Sequence, residues 1–159
     1  MIGATGPVSL RETWFGSRLP EAALARLEAH VRSASYAAGD EILREGDPTA
    51  SLGVVARGRV ALRLRVPERG PTTILTVEAG NIIGWSAVIP PHRATSTVVA
   101  LMPTELLLLD GTSLRAELDD DPVLGAAVYR SLLEALAHRL SGTRMQLLDL
   151  FSAHGDEPW

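Results

Sequence analysis

A glycine that opens a short turn, a hydroxyl inside the turn and an arginine just beyond it can together hold an anion. The stretch from Gly80 to Arg93 offers all three. Gly84 precedes the short apolar run Trp85 to Ile89, and Pro90-Pro91 stops it, so a single helical turn is expected there. The first amides of a helical turn have no internal partner and point forward as donors, which favours negative charge. Arg93 follows as a planar, always-charged donor fork. Ser86 and Thr95 add hydroxyls. The expected ligand-binding residues are therefore Gly84, Trp85, Ser86, Ala87, Arg93 and Thr95, with the anion on the amides of the turn and Arg93 as its main side-chain partner.

Other chemistry has less to work with. Ser86 and His92 lie six residues apart around the same turn, but neither an acid partner nor an oxyanion hole can be named for them. Ser86 reads instead as a cap or a ligand hydroxyl. A metal-dependent enzyme built on strands needs closely spaced histidines with a carboxylate. The four histidines are His30, His92, His138 and His154, and only His92 falls among the strands. Asp119-Asp120-Asp121 lacks calcium-loop spacing and reads as a solvated, helix-capping turn. The chain has no cysteine, which removes disulfides, zinc ribbons and thiol nucleophiles. Every one of its fifteen basic residues is arginine, so P-loop and Schiff-base lysine chemistry are excluded. The expectation is a protein that is not an enzyme and has no metal and no cofactor.

The elements that must position the turn are short. From residue 34 to 110 turn glycines recur at Gly39, Gly46, Gly58, Gly70 and Gly80. Between them Leu52 to Val55, Val60 to Val66 and Thr72 to Val77 read as strands, and Thr95 to Ala100 and Glu105 to Leu109 follow the turn. Val60, Leu62, Leu64 and Val66 alternate with Arg59, Ala61, Arg63 and Arg65, giving one apolar and one solvated face. Seven or eight such strands make a sandwich or barrel. Aromatic residues are only 4% of a chain that is 46% hydrophobic, so the core is aliphatic. A length of 159 residues supports one domain. A net charge of −4 argues against nucleic acid as a partner. No apolar run approaches a membrane span and the first residues lack a signal-peptide pattern, so a cytoplasmic protein without a membrane partner is expected.

Helices flank the strands. Pro20 to Val31 carries Leu24, Leu27 and Val31 on one face, with Trp14 and Phe15 before it as an anchor. Thr112 to Leu118 is helical, and Asp121-Pro122 supplies a cap and a first-position proline for a helix running to about Phe151. That helix has two apolar faces. Leu124, Val128, Leu132 and Ala135 form one. Leu133, Leu136, Leu140, Thr143, Leu147 and Leu150 form the other, with the 3-4 spacing of a heptad seam. One face suits the domain's own core and the other a partner, so a homodimer through Leu133, Leu136, Leu140, Leu147 and Leu150 is expected.

Ala38 to Pro48, then Val54 to Val60, then Gly80 and Gly84 resemble the cyclic nucleotide-binding domain of the Crp/Fnr type. The resemblance covers about residues 17 to 151. It implies an α+β fold: an eight-stranded antiparallel β-roll, or jelly roll, with an N-terminal helix, a short helix in the phosphate-binding cassette and a long C-terminal helix. Gly84-Trp85-Ser86 with Pro90-Pro91-His92-Arg93 looks like a divergent, stand-alone subgroup of such domains. The family's glutamate for the ribose 2′-hydroxyl is replaced by Trp85. Its phosphate arginine falls at Ala94, with Arg93 one residue early. Family transcription factors carry a helix-turn-helix after the long helix, whereas about eight residues follow Phe151 here, so no DNA binding is expected.

These readings divide the chain into an N-terminal extension (1–16), the β-roll (17–120), the C-terminal helix (121–151) and a tail (152–159). The function expected is a stand-alone sensor that binds a cyclic nucleotide or another small anion and signals to an unknown protein partner. The alternative is a structural or interaction module whose pocket is filled by Trp85.

Overall fold

The structure is a computed structural model that describes residues 6–153, without the side chains of Leu150, Phe151 and Ala153. In chain order the elements are α1 (Glu21–Glu28), β1 (Arg32–Tyr36), β2 (Glu41–Leu43), β3 (Ser51–Arg57), β4 (Arg59–Val66), β5 (Gly70–Glu78), β6 (Ile82–Ile83), β7 (Thr97–Ala100), β8 (Thr104–Asp110), α2 (Gly111–Asp120) and α3 (Pro122–Ala153). The eight strands form two antiparallel sheets, ordered β1-β8-β3-β6 and β2-β7-β4-β5. This is the expected α+β β-roll.

Alternation along β3 explains why its residues from Leu52 to Ala56 are all buried. Successive side chains point to opposite faces of a strand. Leu52, Val54 and Ala56 join Leu107 and Leu109 of β8 in a core shared with the helices, while Val55 and Leu106 face the second sheet and meet Val60, Leu62, Val77 and Val98. A strand covered on both sides reads as a continuous apolar run. Edge strand β1 has no such pattern. Its Arg-Ser-Ala-Ser-Tyr sequence is exposed or half-buried throughout and is held by pairing to β8, from Arg32 opposite Leu108 to Tyr36 opposite Thr104. It therefore ends α1 at Glu28, three residues before the expected limit.

Of the expected N-terminal extension, residues 6–16 are described, and they pack on the domain. Leu10 and Phe15 are fully buried in the helix-side core. Two 3-10 turns, Leu10–Glu12 and Gly16–Arg18, fold the segment back on itself. The Thr13 hydroxyl donates to the Leu10 carbonyl at 2.6 Å and accepts from the Gly16 amide at 3.0 Å. The Phe15 amide donates to the Gly80 carbonyl, and the Ser131 hydroxyl donates to the Phe15 carbonyl, which ties the segment to both the roll and α3. Trp14 is the outer part of this anchor, with the Arg18 guanidinium 3.9 Å from its ring centroid.

Caps set the helix starts. The Asp110 carboxylate accepts from the Ser113 amide at 2.9 Å and opens α2. One Asp121 carboxylate oxygen accepts from the Val123 and Leu124 amides at 3.0 and 3.1 Å, with Pro122 in the first position of α3. Along α3 the expected inner stripe is buried: Leu124, Val128, Leu132 and Ala135. The outer stripe is open to solvent, with Leu133 at 66%, Leu140 at 52% and Leu147 at 50% exposure. Leu136 is half-buried and the side chain of Leu150 lies outside the described set. Among the described residues no helix is long and apolar enough to cross a membrane.

Candidate functional site

The cassette begins where β6 leaves the helix-side sheet. Gly84 has φ of 66°, and a Cβ there would come within 2.7 Å of the Ser51 carbonyl, so both backbone shape and space require glycine. The chain then makes the expected turn as a single 3-10 turn, Trp85–Ala87, closed by Ala87 N–H to the Gly84 carbonyl at 2.9 Å and Val88 N–H to the Trp85 carbonyl at 3.0 Å. Within it Ser86 and Ala87 are buried.

The hydroxyls of Ser86 and Thr49 lie 3.0 Å apart and are both buried, so each satisfies the other. His92 approaches the same residue differently. Its Nδ1 is 3.0 Å from the Ser86 carbonyl oxygen, not from the hydroxyl. The two therefore form no nucleophile–base pair, and His92 braces the turn from below. Ala87 is used by its backbone: its carbonyl accepts from the Arg115 guanidinium of α2.

Beyond the turn, the 92–94 segment pairs with the 46–49 segment that leads into β3. Gly46 N–H donates to the Ala94 carbonyl, Ala94 N–H to the Asp47 carbonyl and Thr49 N–H to the His92 carbonyl, at 2.8 to 2.9 Å. Arg93 stands opposite Pro48 in this short ladder. Its side chain is exposed, and its Nη1 donates to the Gly46 carbonyl at 2.8 Å. The alternation that buries Ala94 is what turns its neighbour outward.

Between the turn, β2, β4, β7 and α3 lies a cleft of about 20 Å³. Leu43, Leu62, Ile83 and Val98 wall it with apolar groups. Of the expected ligand residues, Gly84, Trp85, Ser86 and Thr95 line it, together with Ala94 and Ser96. Ala87 and Arg93 are not among the lining residues. Trp85 is half-buried and also packs against the helix-side core.

One further residue reaches the cleft, and it comes from far along the chain. Arg139 extends from α3 and donates through Nη2 to the Ile82 carbonyl. Burial pushes its guanidinium below the ordinary arginine range. It is the single charged residue in the lining. Its signal in the sequence is its place on the inner stripe of α3: it falls four residues after Ala135, where the apolar series would continue. Thr49 carried no comparable signal.

Elsewhere, Asp121 is engaged as a helix cap and in an ion pair with Arg26 at 2.6 Å. Among the described residues no three of His, Asp and Glu are grouped so as to hold a metal ion. The exposed stripe of α3 faces an apolar groove of about 610 Å³ formed with β5, lined by Ile74, Leu75, Thr143 and Leu147 among others.

Comparison with known proteins agrees with this geometry. The family model for the cyclic nucleotide-binding domain matches residues 33–121. The CRP-like cAMP-activated global transcriptional regulator of Mycobacterium tuberculosis (strain CDC 1551 / Oshkosh) is 24% identical over 128 residues, which is 80% of this chain and 55% of the regulator. The chain thus spans about half the length of that relative. A cyclic nucleotide-binding domain from Methylobacillus flagellatus KT superposes with a TM-score of 0.76 at 26% identity, covering 85% of this chain and 79% of that one. The N-terminal domain of a transcriptional regulator from Streptomyces coelicolor A3(2) gives a TM-score of 0.66 at 29% identity, covering 87% and 94%.

Proposed function

This chain belongs to the cyclic nucleotide-binding domain family, and we propose that it is a sensor that takes a small anionic ligand in the cassette and regulates a protein partner. The observation that carries this reading is the cassette backbone. Gly84 keeps the left-handed turn that opens the 3-10 turn, and Trp85, Ser86 and Thr95 line the cleft with it. The relatives' cAMP-activated character points to cyclic nucleotides as the first ligands to test. The exposed stripe of α3 is the surface through which we propose that the protein forms a homodimer. We propose the cytoplasm as its location.

A second reading rests on the volume of the cleft. About 20 Å³ is far below the roughly 300–1,000 Å³ of small-molecule pockets. With Trp85 at its mouth, the cassette could be a filled, purely structural feature. Titration calorimetry with cyclic AMP and cyclic GMP separates the two. The sensor reading expects weak binding of cyclic AMP, above the low-micromolar range, because Trp85 stands where the family's ribose carboxylate would be. Ligand should also change Trp85 fluorescence. No response to either nucleotide at millimolar concentration would leave the structural module as the function. A low-micromolar or tighter constant would show that the lost carboxylate matters little.

A further inference from the structure

We propose that Arg139, reaching in from α3, is the residue that reads the ligand's anion, taking as ligand a phosphate ester of the cyclic nucleotide class that the sensor reading tests first. This rests on the sensor reading above and adds to it the anion-binding residue.

The charge balance of the cleft is the first argument. Arg139 is the only charged group lining it, so no carboxylate is there to repel an anion. Part-buried Arg57 meets Glu105 at 2.8 Å, whereas part-buried Arg63 and Arg115, like Arg139, bond neutral oxygens but do not line the cleft. Arg139 has one hydrogen bond among the described residues, to the neutral Ile82 carbonyl. A guanidinium carries five N–H donors, so most of its capacity is open. A charge taken out of water without a counter-charge is a standing cost, and an entering anion offsets it. The lowered pKa of Arg139 has desolvation as its cause, which agrees with a cation lacking a partner.

Shape is the second argument. The planar fork of an arginine matches two oxygens of one phosphate. The rest of the cleft is walled by Leu43, Leu62, Ile83 and Val98, which suits an apolar or aromatic body better than a bare inorganic ion. Thr95 can donate a hydroxyl to the same phosphate. Arg93 is a poorer reader, because it is exposed and already bonded to the Gly46 carbonyl. Entry requires Arg139 to give up Ile82 and the cleft to widen around the ligand.

The test is calorimetry on the full chain with cyclic AMP, cyclic GMP and inorganic phosphate. It is run on wild type, Arg139→Gln, Arg139→Lys and a charge control, Arg130→Gln, which removes an exposed arginine from the same helix. Circular dichroism melts verify that each variant folds. The expectation is that Arg139→Gln weakens cyclic nucleotide binding about ten- to a hundredfold, the range for losing a charged hydrogen bond. Arg139→Lys should restore only part of the loss, Arg130→Gln should match wild type, and phosphate alone should bind more weakly than either nucleotide. Binding by Arg139→Gln or Arg139→Lys as tight as wild type, or tighter, overturns the proposal and leaves the sensor reading standing with Arg139 as a bystander or plug. If Arg139→Gln does not fold, the lysine variant decides alone. Phosphate binding as tightly as the nucleotides overturns the ester assignment. If wild type binds none of the three at millimolar concentration, the sensor reading itself fails and takes this proposal with it.

Discussion

Replacing Leu140 with arginine should convert the protein from a homodimer to a monomer. Leu133, Leu140 and Leu147 are spaced seven apart on the outer stripe of α3 and are 66%, 52% and 50% exposed. Full burial of a leucine is worth about 1.5–3 kcal/mol, so completing the burial of a half-exposed one contributes roughly 1 kcal/mol. Three such residues on each of two helices supply roughly 6 kcal/mol. A micromolar dimer needs about 8 kcal/mol net after the cost of association, so these leucines alone fall short and the contacts beside them must supply the rest. Parallel pairing places Leu140 opposite its counterpart. Leu140→Arg then removes about 2 kcal/mol of burial per dimer and sets two like charges against each other, for a weakening of a hundredfold or more. Light scattering on a sizing column at tens of micromolar should show a wild-type dimer and a variant monomer. Leu140 lies beyond the buried stripe that ends at Ala135, so the variant should melt like wild type apart from the lost dimer contribution. A wild-type monomer at that concentration, or a variant that stays dimeric, refutes the reasoning.

Gly84→Ala should destabilise the roll by about 2 kcal/mol or more, since a left-handed residue with a side chain costs about 1–2 kcal/mol before its Cβ meets the Ser51 carbonyl. An unchanged midpoint in urea unfolding would contradict this. Cyclic AMP and its 2′-deoxy analogue should bind alike, because Trp85 offers no carboxylate to the 2′-hydroxyl; calorimetry showing a strong preference for the ribose form would be the contrary result. Asp121 and Asp110 are held below the usual carboxylate range, chiefly by amides of Leu124 and Ser113 respectively. A lowered folded-state value stabilises above the unfolded value, near about 3.9, and that stability is lost as pH falls through the folded value. Scanning calorimetry should therefore show the melting temperature falling below about pH 4, and Asp121→Asn should flatten part of that fall. Anisotropy titrations with duplex DNA at near-physiological salt should show no sequence preference, given the net charge of −4.

What the sequence could reveal depended on how local each signal was. Asp121-Pro122 caps and Leu124 to Ala135 repeats along one face; each is a pattern within a few residues, and each is in the structure, whereas the alternation expected from Val60 to Val66 holds only in part, with Ala61 buried, Leu64 and Val66 half-buried and a register shift after Leu62. β1 lacked such a pattern, because an edge strand held by backbone bonds needs no apolar side chains. Leu10 and Phe15 are too few and too irregularly spaced to show that they are core. The site divides in the same way. Gly84 and its turn were readable because glycine and proline constrain the backbone they occupy. The Thr49–Ser86 pair joins loops 37 residues apart and was not. Arg93 looked right by adjacency alone, yet strand alternation decides direction, and at that position it turns the guanidinium to Gly46. Arg139 sits on the inner stripe of α3, which could mark it as inward, but that this stripe meets the cleft at Arg139 follows only from how α3 packs on the roll.

The proportions of α3 give the molecule a mechanical gain. Its 32 residues make a rod about 48 Å long. The near end, through Ala135, is embedded in the core; beyond it Arg139 lines the cleft and Thr143, Gln146 and Leu147 run beside β5 across an open groove. A rod seated firmly at one end acts as a pointer. From Ala135 to Ala153 is about 27 Å, so a tilt of only about 10° at the exit carries the far end by roughly 5 Å, close to one helical turn. A small tilt set at the cleft would thereby swing Leu147 and the far end sideways by several times the displacement at Leu140, about 1 Å.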